Sequence, residues 1–69
     1  MAKIALSARE LADRIRERLD EPELRVGVFF DKASGWQAVV YGPPDTVAEK
    51  QLRVDRAANG LRTDYDLKE

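Results

Sequence analysis

The sequence predicts a single small α+β domain over residues 1–69, with elements in the order α-β-β-α-β. Three observations carry this. A capping box opens a helical period at Ser7, two apolar alternating segments flank the turn sequence "DKASG", and alternation returns in the tail "LRTDYDLKE" after a second helical stretch. A chain this short hides only about 60% of its unfolded surface. It has neither Cys nor His, so disulfides and the usual zinc ligands cannot stabilise it. Efficient packing or self-association remains.

The first helix starts at Ser7-Ala8-Arg9-Glu10, where the Ser hydroxyl and the Glu carboxylate satisfy each other's unpaired backbone N–H groups. Leu6 before the cap and Leu11 after it form a hydrophobic staple. Ala8, Leu11, Ala12, Ile15 and Leu19 recur at helical spacing, and charged residues cover the other faces. Opposite charges three and four apart, such as Glu10, Asp13 and Glu17 among Arg9, Arg14, Arg16 and Arg18, read as ordinary surface support. Pro22 in "DEPE" stops the helix, and that acidic cluster reads as a solvated turn.

Leu24, Val26, Val28 and Phe30 sit at period two and predict a strand; Trp36 to Tyr41 predicts its hairpin partner. Placing Phe30 opposite Trp36 sets Val28 against Ala38 and Val26 against Val40, which makes one face wholly apolar. A slip of one residue would mix the faces, so burial selects this register. Trp36 is expected in the core, its indole N–H reaching a loop carbonyl.

"GPPDT" then breaks the sheet. Thr46 with Glu49 offers a second capping box, with Asp45 as a competing cap, and Val47, Val54 and Ala58 share the buried face. Asn59-Gly60 closes the helix, Gly60 suiting the left-handed conformation beyond a helix end. Leu61, Thr63, Tyr65 and Leu67 alternate with Arg62, Asp64, Asp66 and Lys68, which predicts a third strand. A right-handed crossover sets it beside the first. The expected sheet is three-stranded and antiparallel, of order 2-1-3, with both helices on the Val26/Val28/Phe30 face. The alternative makes "KIAL", residues 3–6, an extra strand and the whole a ferredoxin-like βαββαβ; the lack of residues for a turn before the Ser7 cap argues against it.

The outer face of the hairpin is the unusual one. The same register pairs Arg25 with Tyr41, Gly27 with Val39 and Phe29 with Gln37, where a half-buried strand should be polar. The candidate interaction surface is therefore Arg25, Phe29, Gln37, Val39 and Tyr41. Three readings stand side by side. Cross-strand pairing with Arg25 stacked on Tyr41 would be purely local. A symmetric homodimer, or a protein partner, would use the patch and an unpaired edge on the second strand. Single-stranded nucleic acid would stack its bases on the open aromatics, with phosphate near Arg25 or Lys32.

Composition bears on these. There are 12 basic and 13 acidic residues, a net charge of −1, which argues against a nucleic-acid partner. No apolar run approaches the roughly 18–20 residues of a membrane span and no export signal is seen, so no membrane partner is expected and the cytoplasm is the expected compartment. Asp64 and Asp66 share a strand face, yet Arg62 and Lys68 flank them, so charge pairing is expected there and no metal site. Ser7 is committed as a cap and Ser34 lies in the hairpin loop with no base near it in sequence. The four glycines form no phosphate-binding pattern. No catalytic residue, cofactor site or metal site is read. The chain is expected to be a non-catalytic binding module, not an enzyme.

Overall fold

The computed structural model describes residues 3–33 and 35–68. Its elements are β1 (Ile4–Leu6), α1 (Ala8–Leu19), β2 (Arg25–Asp31), β3 (Gly35–Tyr41), α2 (Pro44–Arg62) and β4 (Tyr65–Leu67). The α+β class holds. The three-stranded antiparallel sheet of order 2-1-3 does not form: β2 and β3 make an antiparallel pair, and β1 and β4 a parallel pair. The element order is that of the βαββαβ alternative, but the strands are not joined into one ferredoxin-like sheet.

The expected capping box is complete, Ser7 Oγ accepting from the Glu10 N–H and Glu10 Oε1 from the Ser7 N–H. Residues 4–6 are a strand all the same. Ser7 is itself extended, at φ −68° and ψ 162°, so β1 runs straight into the cap and no turn is needed. α1 ends at Leu19, with Asp20 left-handed and its N–H returned to the Arg16 and Glu17 carbonyls. Glu21 of "DEPE" is not simply solvated: it is half-buried and paired with Lys50 of α2 at 2.5 Å, tying this turn to the second helix.

β2 and β3 adopt the expected register, from Arg25 opposite Tyr41 to Asp31 opposite Gly35. Asp31 Oδ1 accepts from the Ala33 N–H inside the turn, and Gly35 at φ +90° supplies the left-handed step that closes a three-residue hairpin loop. α1 lies against β2 and α2 against β3. The core lies between them, with Leu11 and Ile15 from α1, Trp36, Ala38 and Val40 from β3, and Val54, Ala58 and Leu61 from α2. Phe30 departs from expectation. It is opposite Trp36 in register but 55% exposed, because Trp36 fills the space beneath the sheet and Phe30 has a strand on one side only.

α2 differs from its expected bounds at both ends. Neither Thr46 nor Asp45 is the cap; the helix begins at Pro44, whose fixed φ and missing N–H suit the first helical position. It also runs through Gly60 to Arg62. Leu61 is buried in that last turn, and Arg62 reaches β3. The tail strand is therefore short. It lies near the start of β3, where the Trp36 indole Nε1 donates to the Tyr65 carbonyl at 3.2 Å, a strand carbonyl in place of the expected loop one.

The outer edge of β3 is closed by side chains. Gln51 of α2 accepts at Oε1 from the Val40 N–H (3.0 Å) and donates from Nε2 to the Ala38 carbonyl (3.1 Å), while Asp55 accepts from the same Nε2. Arg62 Nε donates to the Trp36 carbonyl at 2.7 Å. With this edge occupied, β4 pairs with β1 instead, in the register Ile4–Tyr65, Ala5–Asp66, Leu6–Leu67.

Two stability measurements check this account. Gln51→Ala leaves two strand-edge groups without their side-chain partner and is expected to lower the unfolding free energy by about 1–2 kcal/mol, seen as a lower urea midpoint with an unchanged slope. Gly60→Ala is expected to raise stability by about 0.5–1 kcal/mol, the gain of Ala over Gly inside a helix. The nearest group to the new methyl would be the guanidinium of exposed Arg18, 3.1 Å from its position, which can move aside. A loss of stability on Gly60→Ala would mean that Gly60 terminates the helix.

Candidate functional site

The five predicted positions lie together on the outer face of the hairpin. Phe29 is 48% exposed and Tyr41 59%; Arg25 is exposed at the margin, and Val39 and Gln37 are half-buried. Alternation along β2 and β3 puts them there, opposite the face that carries Ala38 and Val40.

Tyr41 does not lie under Arg25. Its ring leans over Gly27, so that a methyl built on Gly27 would fall 2.7 Å from Tyr41 Cε2 and from its hydroxyl oxygen. A glycine in a strand marks a place where something approaches the backbone closely. Here the neighbour is an aromatic ring, which covers the peptide surface that a side chain would otherwise shield. The cation–π contacts among the described residues are elsewhere, Arg14 over Tyr65 at 5.1 Å and Arg62 over Trp36 at 5.0 Å. The Arg25–Tyr41 stack is thereby corrected.

Gln37 is fixed from two sides. Its Nε2 donates to Asp31 Oδ2 and its Oε1 accepts from Arg62 Nη2, both at 2.9 Å. Arg62 was expected on a strand face with Asp64 and Lys68. It sits instead in the last turn of α2, with Asn59, Trp36 and Gln37 as partners. No local signal marks this role, because the residues it joins lie 25 and 26 positions away.

The edge expected to be free was that of the second strand, which is β3. Gln51 and Arg62 occupy it. The open edge belongs to β2. On that strand Val26 and Val28 are half-buried and Phe30 exposed, whereas the residues opposite them, Val40, Ala38 and Trp36, are fully buried. The core is sealed under β3 and only partly covered under β2.

Elsewhere, Asp66 faces Lys3 at 3.8 Å, and Asp64 accepts from the Ile4 N–H through its backbone carbonyl. Among the described residues no group of three or more acidic, His or Cys side chains is placed to hold a metal ion, and no helix is long and apolar enough to cross a membrane. Ser34 lies outside the described residues.

The position of the Tyr41 ring has a direct readout. Ring current should move a Gly27 α-proton upfield in the NMR spectrum, and Tyr41→Lys should return it to the ordinary range. An unshifted Gly27 in the wild type would remove Tyr41 from that position. No family model matches the chain, and no curated protein or solved structure matches it either.

Proposed function

We propose that this protein is a small non-catalytic interaction module of the cytoplasm that associates with a second copy of itself through the open hairpin. Phe29, Val39 and Tyr41 form the apolar centre of the surface, and Arg25 and Gln37 its margin. The observation that carries the reading is the pair of exposed aromatics, Phe29 and Tyr41, on a sheet face that adjoins an open strand edge. An exposed apolar patch rimmed by polar groups is the usual mark of an interaction site, and tyrosine is a preferred anchor in such sites.

Size supports the same reading. A domain of 69 residues has a small core, and here one flank of that core, at Val28 and Phe30, is left partly uncovered. Closed two-fold dimers are the commonest way for a chain to bury such a flank. The composition, with no His and no Cys, offers none of the common nucleophile–base pairs.

Sedimentation equilibrium over a wide concentration range tests this directly. The wild type should show a monomer–dimer equilibrium, and Tyr41→Lys should weaken it by roughly tenfold or more, equivalent to about 1.4 kcal/mol. Far-UV circular dichroism should show the variant folded. A wild type that stays monomeric at every concentration would sink the proposal.

A further inference from the structure

The hydrogen-bond pattern of the hairpin shows which backbone groups of β2 are open. In an antiparallel ladder, pairs that exchange both backbone bonds alternate with pairs whose groups point away from each other. Val40 gives its N–H to Gln51, so Val40 and Val26 are a pair of the second kind. By alternation, so are Ala38 with Val28 and Trp36 with Phe30; their carbonyls on β3 go to Gln51 and Arg62. The N–H and C=O groups of Val26, Val28 and Phe30 therefore point out from the free edge of β2. Among the described residues none bonds to them.

We propose that this edge pairs with the same edge of a second copy, antiparallel and centred on Val28, to give a continuous four-stranded sheet. The inference rests on the self-association proposed above and specifies its geometry. In this register Val28 meets the partner's Val28, and Val26 meets the partner's Phe30, so all three outward residues of each copy form bonded pairs. On the outer face Gly27 meets the partner's Phe29 at the closer, non-bonded spacing, which brings that ring to the edge of the Tyr41 ring already lying over Gly27. Arg25 meets the partner's Asp31, and two-fold symmetry repeats that charge pair.

The strand "RVGVFFD" is thus complementary to itself in charge and in size. Other registers lose this. Centred on Gly27, the pairing would set Asp31 against the partner's Glu23; centred on Phe29, it would set Arg25 against the partner's Ala33. Shifts by an odd number would set the core face against the outer face. Asp31 is already oriented, one carboxylate oxygen accepting from the Ala33 N–H and the other from Gln37 Nε2, so its negative charge is held at the end of the strand. The exposed flank of the core, Phe30 with Val28 and Val26, is what the second copy would cover.

A mixing experiment tests the register. Arg25→Glu and Asp31→Lys each set like charges against each other in a homodimer, so each variant alone should dimerise roughly tenfold or more weakly than the wild type. Mixed in equal amounts, the two are complementary at both ends and should form a heterodimer. Because Asp31→Lys also disturbs the hairpin turn, amide hydrogen exchange on the wild type provides a second measurement. The Val26, Val28 and Phe30 amides should become protected on dimerisation, while those of Gly27 and Phe29, already bonded to β3, should change little. A dimer in which those three amides still exchange fast, or variants that fold but do not pair when mixed, would overturn this geometry and leave association through the outer face standing. A wild type that never dimerises would overturn both.

Discussion

Trp36 is the joint between the two halves of the structure. Its side chain is fully buried between the hairpin and the helices, and its indole N–H holds β4 by the Tyr65 carbonyl. Its own carbonyl holds the end of α2 through Arg62, whose guanidinium also lies over the indole ring. One residue thus places a strand, a helix end and a sheet edge. The β1–β4 pair has three residues in each strand, too few for independent stability. It persists because Leu6 and Leu61 join the core beside Trp36, and because the Trp36–Tyr65 bond fixes where β4 begins.

From this joint follows the division of the sheets. Arg62 and Gln51 occupy the carbonyl and N–H groups of β3 that a further strand would need, so the hairpin remains two-stranded on that side. A protein with one protected edge concentrates its exposed backbone on the other. Edge strands are commonly blunted by proline, a bulge or charges along their length. β2 has no proline and no bulge, and its charges stand only at its two ends, Arg25 and Asp31, with opposite signs. That arrangement discourages pairing with an arbitrary strand less than it selects one with the reverse order of charge.

What local chemistry decides was legible in the sequence. The Ser7–Glu10 capping box, the hairpin register and the burial of Trp36 each depend on residues close in sequence or on a simple period. The five surface positions follow from that register alone. What was not legible depends on distant partners. Gly60 is chemically suited to end a helix, but Leu61 finds the core and Arg62 finds β3, so one more half-turn forms. The alternation from Leu61 to Lys68 was genuine as a pattern and misleading as a strand, since its first two members belong to α2. Which edge of the hairpin stays open could not be read either. It turns on Gln51, a polar residue in the middle of an apolar stripe, whose amide happens to span one N–H and one carbonyl of the neighbouring strand.

The apolar character of β2 on both faces becomes intelligible when its neighbours are counted. A strand between a core and water needs apolar residues on one face only, and 27 and 29 would then be polar positions. A strand buried on all sides would have no use for charges at its ends. β2 fits neither description. Val26 and Val28 serve the core, Gly27 receives the Tyr41 ring, and Phe29 is left about half exposed in the monomer, at 48%. In the proposed assembly Phe29 packs against the tyrosine ring that covers Gly27 of the second copy, and Arg25 and Asp31 pair across the two-fold axis. The glycine that weakens the strand is then the residue that lets Tyr41 lie flat on it, and the ring so placed is what the partner's Phe29 would meet.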